Sequence, residues 1–240
     1  MAAKVVLVAG GTGGLGRAVS LAFVEEGARV IVTFHRPGDL DELKKAASAK
    51  LVAADGASLE GFSVDVTDEV AVARLTDGIV ERCGRLDCLV NTVGGYAGGI
   101  KLWELETKVF EQMLALNLRA GFILARAAAR VMVKQGSGAI VNVAAKAAVD
   151  HAAGAAAYAA SKAAAVAMID CLAVDLKGTG VRANSIMPSV IDTAANRKAM
   201  PKADFAKWPK PEEIARVILF LCSDAAKLIQ GAALPVYGDS

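Results

Sequence analysis

Near the start of the chain stands the stretch Val5-Val6-Leu7-Val8-Ala9-Gly10-Gly11-Thr12-Gly13-Gly14-Leu15-Gly16. Its apolar first half predicts a buried strand, and the glycines that follow predict a tight turn that opens a helix. In such a turn the backbone can approach a pyrophosphate closely, and the N–H groups at the helix start face its negative charge. The stretch therefore predicts a dinucleotide-binding unit, with a plain structural turn as the alternative.

The rest of the chain continues this alternation of short apolar runs and longer stretches with helical spacing. Strands are predicted at Val5–Ala9, Arg29–Phe34, Gly61–Val64, Cys88–Asn91, Ala139–Val143, Arg182–Met187 and Ala232–Val236. Helices are predicted at Leu15–Glu26, Leu40–Lys50, Val70–Cys83, Val109–Lys134, Tyr158–Leu176 and Glu212–Leu221. Because the strands are apolar throughout, we expect a parallel sheet with helices on both faces.

This pattern predicts an α/β fold, a single doubly wound Rossmann-type domain over residues 1–240 with a central parallel sheet of about seven strands. No linker composition or internal repeat divides the chain. Residues 188–211 hold four of the six prolines and little periodicity, so we expect them to form a loop or lid on the substrate side.

The composition excludes several classes of function. A net charge of +2 and an aromatic content of 5% argue against nucleic-acid partners. The tempting apolar run Ala120–Ala129 is interrupted by Arg126, so no membrane association is expected. The four cysteines show neither metal-ligand nor disulfide spacing, and the first residues lack a signal-peptide core. We therefore expect a cytoplasmic protein with reduced thiols and no metal.

The second predicted strand ends in Thr33-Phe34-His35-Arg36. An acidic residue at this point of a dinucleotide fold accepts hydrogen bonds from the free 2′-hydroxyl of NAD(H). Phe34 stands there instead, and His35 and Arg36 follow it. These residues favour NADP(H) over NAD(H), the alternative being that Arg36 is a solvated loop cation.

A second motif, Tyr158-Ala159-Ala160-Ser161-Lys162, begins a predicted helix. Residues four apart share one helical face, and an ammonium beside a phenol is expected to lower the pKa of the phenol. Tyr158 could then exchange a proton nearer neutral pH.

Together, the spacing Gly10-x3-Gly14-x-Gly16 and the Tyr158/Lys162 pair about 140 residues later resemble the short-chain dehydrogenase/reductase family along nearly the whole chain. The resemblance implies that Tyr158 is the general acid and that Lys162 tunes it and holds the nicotinamide ribose. It implies that Asn117 supports a proton-relay water, the alternative being a buried helix Asn bonded to backbone.

The family resemblance also implies which residues bind the cofactor. Asp65-Val66, expected at the end of the third strand, would meet the adenine, and Asn91, ahead of Gly94, would meet the ribose. The full set is Gly10, Thr12, Gly13, Gly14, Leu15, Gly16, Phe34, His35, Arg36, Asp65, Val66, Asn91, Gly94, Tyr158, Lys162, Pro188, Val190 and Thr193. The predicted helices Val109–Lys134 and Tyr158–Leu176 carry many small residues, which allow close packing between helices. Because members of the family are often dimers or tetramers, the resemblance further implies a homodimer or homotetramer.

The main departure from the family is at Ala145, where a catalytic serine is expected about a dozen residues before the tyrosine. Losing a donor to a developing oxyanion typically lowers the rate about a hundred- to a thousandfold. We therefore expect a substrate that needs little polarisation, such as a quinonoid ring.

One branch of the family shares this loss. The segments Ala145–Ala148, Gly94–Gly99 and Asn196–Phe205 resemble dihydropteridine reductase, although Phe34 departs from the Asp of that branch. The resemblance implies an NAD(P)H-dependent reductase of a quinonoid or otherwise activated acceptor. Two alternatives remain: a ketone or 3-oxoacyl-thioester reductase that recruits a hydroxyl from Thr92 or Ser189, and a catalytically weak NADP(H)-binding sensor.

Overall fold

A single parallel sheet organises the computed structural model, which describes residues 3–53 and 56–239. Its strands in these ranges are β1 (Val5–Ala9), β2 (Arg29–Phe34), β3 (Ser58–Ser63), β4 (Cys88–Asn91), β5 (Gly138–Val143), β6 (Val181–Pro188) and β7 (Ala233–Val236). Their order is β3-β2-β1-β4-β5-β6-β7, and every neighbouring pair is parallel. The predicted doubly wound α/β fold is confirmed.

The helices of the described residues are α1 (Gly14–Glu25), α2 (Pro37–Ala53), α3 (Glu69–Cys83), α4 (Thr107–Leu114), α5 (Ala120–Gln135), α6 (Ala156–Asp175), α7 (Ala194–Ala199) and α8 (Pro211–Leu221). A π-helical turn, Ala115–Arg119, joins α4 to α5 without a break. Short 3₁₀ turns lie at Leu102–Glu104, Lys146–Ala148, Phe205–Lys207 and Asp224–Ala226.

Strand β1 shows why successive residues of these strands are all apolar and do not alternate between apolar and polar. Val5 and Leu7 face a core cluster that includes residues of α3, α5 and α6. Val6 and Val8 face the opposite cluster, which includes residues of α1, α2 and α8. Because both faces of the sheet are covered, neither set of side chains is left to solvent.

The sheet places two loops side by side at its carboxyl edge. Strands β1 and β4 are neighbours although β2 and β3 separate them in sequence, so the direction of winding reverses between them. Ala9 at the end of β1 is in register with Asn91 at the end of β4. Ligands of doubly wound folds bind at such a switch point, outside the carboxyl ends of the strands.

Two elements differ from their predicted form. Strand β3 runs from Ser58 to Ser63, so the expectation that Asp65-Val66 ends it is wrong. Asp65 lies in the following turn, where its own carboxylate accepts a hydrogen bond from the Thr67 N–H. The predicted helix Val109–Lys134 is continuous, but its middle turn is π-helical.

Helix α6 is the one helix in the described residues that is long and apolar enough to cross a membrane by length and composition. Its apolar character has another explanation, since Ile169 and Ala173 pack in the sheet core and Lys162 is buried against β5.

The segment at residues 188–211 leaves the carboxyl edge of the sheet after β6 and contains α7 and the turn Phe205–Lys207. Its own side chains hold it together, because Arg197 pairs with Asp192 at 2.5 Å and lies over the ring of Phe205. Its function as a lid stays a prediction.

Candidate active site

The glycine loop between β1 and α1 is folded back on itself. Gly10 has a left-handed backbone (φ 73°), and its N–H donates to the Thr33 hydroxyl at 2.9 Å. Gly13 N–H donates back to the Gly10 carbonyl at 3.0 Å. A Cβ at Gly16 would overlap the Gly10 carbonyl, so only glycine lets helix and loop approach this closely.

The open side of this loop has the shape that a pyrophosphate needs. Gly13 and Gly14 are exposed at the start of α1, and no acidic side chain stands in the first turn of that helix. Thr193 closes one side, since a Cβ at Gly14 would lie 2.8 Å from its methyl group. A bare backbone cradle at a helix N-terminus fits the pyrophosphate of a dinucleotide.

Two residues of the predicted cofactor set turn their side chains away from this cradle. The side chain of Leu15 is buried in the core cluster of α1, and that of Val66 in the cluster on the opposite face of the sheet. Thr12 and Val190 are half-buried, and Pro188 is buried at the end of β6.

The end of β2 carries the residues predicted to decide between NADP(H) and NAD(H). Phe34 is half-buried and packs against the core, while His35 and Arg36 are exposed. Arg36 Nε pairs with Asp39 at 3.0 Å, which leaves most of the guanidinium in solvent. Asp65 lies close to His35, and its pKa is lowered by hydrogen bonds from Thr67 and further by that imidazole.

Asn91 lies at the end of β4 and is almost fully buried. Its amide nitrogen donates to Asn142 on β5 at 2.9 Å, and its oxygen accepts from Val93 N–H at 3.1 Å. Through these bonds the Asn91 side chain links β4 to β5 and holds the start of the loop that follows β4. Contact of Asn91 with a cofactor ribose stays a prediction.

The proposed acid Tyr158 lies near the start of α6, half-buried beneath a second tyrosine. The ring of Tyr96 meets it edge to face, with centroids 5.0 Å apart and planes at 78°. Burial, and to a lesser degree Tyr96, raises the pKa of Tyr158 to about 12. The phenol is therefore protonated at neutral pH.

Lys162 lies one turn further along α6 and is 5% exposed. Its Nζ donates to the Val143 carbonyl of β5 at 2.9 Å, and burial lowers the pKa of Lys162 to about 8. The expectation that Lys162 lowers the pKa of Tyr158 is wrong for this structure, because the ammonium is bonded to β5 and the loss of solvent dominates the phenol.

Asn117 occupies the π-helical turn and is buried. Its oxygen accepts from Gly95 N–H at 3.0 Å, and its nitrogen donates to the Gly95 carbonyl at 3.0 Å and to Ser161 Oγ at 3.1 Å. The side chain is thus bonded to backbone, as in the alternative reading, and it ties the loop after β4 to α6. Support of a relay water stays a prediction.

Gly94 shows how closely these groups are assembled. A Cβ at this position would lie 2.9 Å from Asn117 Oδ1 and 3.0 Å from Lys162 Nζ. The loop backbone therefore covers both side chains directly. Single π-helical turns are frequent at functional sites, and this one places Asn117 beneath that loop.

Ala145 follows β5 in extended conformation and is 8% exposed. Both hydroxyls suggested as substitutes for the missing serine have backbone acceptors. Thr92 Oγ1 donates to the Ala9 carbonyl at 2.7 Å, and Ser189 Oγ donates to the Tyr237 carbonyl at 2.6 Å. The wall at Ala145 is therefore apolar, while the α6 wall offers a proton donor.

The sequence interpretation missed Tyr96 and Ser161. Tyr96 stands in the glycine-rich stretch after β4, where a single aromatic among glycines was the available signal. Ser161 lies inside the Tyr158/Lys162 motif, but nothing in the sequence shows that its hydroxyl would receive the Asn117 amide and donate to the Tyr158 carbonyl at 2.7 Å.

Comparison with known proteins agrees with this geometry. The family model "short chain dehydrogenase" matches residues 4–204. D-threitol dehydrogenase of Mycolicibacterium smegmatis is 36% identical, with 98% of this chain and 92% of the relative covered. The 3-oxoacyl-[acyl-carrier-protein] reductase FabG of Thermotoga maritima is 30% identical over 98% and 96%. The 2,5-dichloro-2,5-cyclohexadiene-1,4-diol dehydrogenase LinX of Sphingobium indicum is 36% identical over 99% and 96%.

Solved structures give the same result. A short-chain type dehydrogenase/reductase from Mycobacterium ulcerans superposes with a TM-score of 0.93 at 27% identity, covering 98% of this chain and 89% of the other. ElxO with NADP bound (TM-score 0.89, 26% identity) and NAD⁺-bound xylitol dehydrogenase (TM-score 0.88, 27% identity) each cover 98% of both chains. With its glycine cradle, its Tyr158/Lys162 pair and relatives matched over nearly its full length, this chain belongs to the short-chain dehydrogenase/reductase family and is an NAD(P)-dependent oxidoreductase.

Proposed function

We propose that the enzyme reduces a quinonoid or otherwise activated acceptor with NAD(P)H, in the manner of dihydropteridine reductase. The observation that carries this proposal is the buried methyl group of Ala145 at the point where the family serine polarises a carbonyl. Without that donor, a simple ketone would develop negative charge against an apolar wall. A quinonoid ring draws its driving force from restored conjugation and depends less on such a donor.

The chain's own groups suit the delivery of a proton. When bound, the nicotinamide cofactor supplies the hydride. Tyr158, whose pKa of about 12 keeps the phenol protonated, donates a proton to the reduced acceptor. Lys162 is mostly cationic at pH 7 and lies beneath Gly94, where it can bind a ribose hydroxyl. Tyr96 places an exposed ring beside Tyr158, on which a flat substrate can stack.

The residues that would hold the cofactor lie at the carboxyl edge of the sheet. Backbone groups of Gly13 and Gly14 would bind the pyrophosphate, and Lys162 with Tyr158 would bind the nicotinamide ribose. We propose a preference for NADP(H), because Arg36 and His35 offer positive or polar groups at the end of β2 and no carboxylate replaces Phe34. The exposed Arg36–Asp39 pair is weak enough for a 2′-phosphate to displace.

A second candidate is a ketone or 3-oxoacyl-thioester reductase, or a polyol dehydrogenase. The relatives named FabG and D-threitol dehydrogenase favour it, since both match almost the entire chain. The relative LinX, named for a cyclohexadiene diol, is 36% identical and favours a ring substrate. We further propose a soluble, cytoplasmic homodimer or homotetramer, as is common in the family.

The test is a direct comparison of acceptors. Initial rates of NADPH and NADH oxidation are measured with quinonoid dihydropterin, with acetoacetyl thioesters and with a panel of ketones, each against a blank without enzyme. We expect the quinonoid acceptor to give the highest kcat/KM. Turnover of thioester or ketone alone would establish the second candidate. Tight cofactor binding with no turnover of any acceptor would establish a sensor.

A further inference from the structure

A large cavity of about 820 Å³ lies at the amino edge of the sheet, opposite the glycine loop. The first residues of three strands line it, namely Cys88 of β4, Gly138 of β5 and Val181 of β6. The eight residues of β6 separate this edge from the carboxyl edge by roughly 25 Å, at ~3.3 Å per residue. The cavity is therefore distinct from the dinucleotide crevice.

Positive charge dominates the cavity wall. Five cationic side chains line it against two acidic ones, the cations being Lys4, Arg85, Lys177, Arg182 and Lys227. Of the acids, Asp87 is committed: it accepts from Val5 N–H at 2.8 Å and from Arg85 Nε at 2.9 Å. Asp224 is the other, and it is exposed. Four cations remain to be balanced by one solvated carboxylate.

Arg182 has an unmet hydrogen-bonding need in this wall. Its Nη2 donates to the Ser223 carbonyl at 3.1 Å, while its Nη1 is buried and has no hydrogen-bond partner among the described residues. That nitrogen is closed off from solvent, so an anion in the cavity would meet the part of the Arg182 side chain that lines the wall. A guanidinium pairs best with an oxyanion.

Lys4 stands next to Arg182 in the same wall. Its Nζ donates to the Cys222 carbonyl at 3.0 Å. A hydrogen bond with Cys88 and burial raise the pKa of the Cys222 thiol, and the charges of Arg182 and Lys4 oppose that rise. Lys4 and Arg182 thus donate to the carbonyls of two neighbouring residues, Cys222 and Ser223, which places both cations in the same part of the wall.

We propose that this cavity binds a phosphate group, with Arg182 and Lys4 as its inner ligands and Lys177 and Lys227 at its rim. The volume exceeds that of inorganic phosphate, so a phosphate monoester also fits. Arg182 presents planar N–H donors that match a tetrahedral oxyanion, and the lysines supply charge without fixed geometry. Binding at this edge stabilises the folded chain, since the site does not exist in the unfolded one.

The experiment measures phosphate binding by the full chain saturated with whichever nicotinamide cofactor it binds, so that the glycine cradle is occupied. Inorganic phosphate and glycerol 2-phosphate are titrated separately by calorimetry, with ionic strength held constant by chloride. Thermal unfolding is followed in parallel. We expect saturable binding and a rise in Tm with phosphate beyond that with chloride. Tighter binding of glycerol 2-phosphate would identify the natural ligand as an ester, and tighter binding of inorganic phosphate would identify the free ion.

Substitutions locate the site. Arg182→Gln should weaken phosphate binding at least tenfold, and Arg216→Gln, an exposed arginine of α8 outside the cavity, should leave it unchanged. If Arg182→Gln does not fold, the double change Lys177→Gln and Lys227→Gln at the rim carries the test, with an expected loss of at least threefold. Equal binding by the folded variants and the parent, or no effect of phosphate beyond that of chloride, would overturn the proposal.

Discussion

The two walls of the catalytic crevice differ in chemical character. The wall formed by α6 carries Tyr158, Ser161 and Lys162, each with a defined hydrogen bond or ring contact. The wall at the end of β5 carries Ala145, which is buried and has no side-chain donor. We propose that the α6 wall keeps a proton donor, Tyr158, while the described β5 wall offers no side-chain hydroxyl at Ala145 to polarise a carbonyl.

This difference separates two demands that a ketone makes on its enzyme at once. A ketone needs an electrophilic donor while hydride arrives and a proton when the alkoxide has formed. Of these two, the described side chains offer only the proton donor, which we propose is Tyr158. The walls can be altered one at a time, which makes the comparison testable.

Loss of the proton donor should have the largest effect. Tyr158→Phe keeps the ring contact with Tyr96 and removes the hydroxyl, so we expect kcat to fall about a thousandfold, or ~4 kcal/mol in barrier. Cofactor affinity should fall much less, by about the one hydrogen bond to the ribose that is lost. Steady-state rates and cofactor titration measure the two quantities. The matched control is Tyr96→Phe, which removes the hydroxyl of the neighbouring ring. If kcat fell more in Tyr96→Phe than in Tyr158→Phe, Tyr96 and not Tyr158 would be the proton donor.

The second-largest effect is expected from removing the Asn117 amide, which links the loop after β4 to the α6 wall. Asn117→Ala leaves Gly95 and Ser161 without their buried partner, so we expect the free energy of unfolding to fall by about 2–3 kcal/mol. Chemical denaturation measures it, with Gln112→Ala on the exposed face of α4 as the control. A change within the error of the control would show that the hydrogen bonds of Asn117 do not support the wall.

Restoring a hydroxyl to the β5 wall should have a smaller, selective effect. Ala145→Ser is expected to raise kcat/KM for ketones about tenfold, because it adds a donor toward the oxyanion, and to change quinonoid reduction less than threefold. The control is Ala144→Ser, whose side chain would face the small core cluster with Met187. An equal gain for both acceptor types would remove the distinction between the walls.

The smallest expected effect concerns stability and pH. The pKa of Lys162 is about 8 in the folded chain, below its ordinary value of 10.5, so between these values the unfolded chain binds more protons. Stability from this group therefore rises with pH, by about 1 kcal/mol from pH 8 to pH 9. Because the raised pKa of Cys222 makes an opposite contribution over the same range, the rise is measured as the difference between the parent and Lys162→Met, each denatured at both pH values. Lys134→Met, at an exposed position, should keep it; loss of the rise in both variants would contradict the assignment.

Sequence alone predicted the features that depend on local pattern. The strand Val5–Ala9 is predicted because burial on both faces of the sheet requires a continuous run of apolar residues. The loop after it is predicted because a tight turn requires glycine, and Ala145 is found by its distance from Tyr158 in the sequence. The end of β3 differs from the prediction, because pairing stops at Ser63, opposite the last residue of β2, and the Asp65 carboxylate accepts from Thr67 in the turn beyond.

The electrostatics of the α6 wall depend on tertiary contacts and so escaped prediction. Helical spacing places Lys162 on the same face as Tyr158, but the ammonium bonds to Val143, a residue 19 positions away on another strand. The pKa of Tyr158 likewise depends on burial and on Tyr96, which the sequence holds 62 residues upstream. Neither contact has a signature in local sequence.

The π-helical turn at Ala115–Arg119 has a consequence for the length of this helix. A π turn contains one residue more than the α-helical ladder requires, so deleting one residue here would let α4 and α5 merge into a regular helix. The extra residue is absorbed within the turn, so α4 and α5 on either side would keep their faces, and only the residues of the turn itself, Asn117 among them, would be displaced. The Asn117 amide would leave Gly95 while the backbone gained regularity, so a more uniform helix would come with a disassembled catalytic wall.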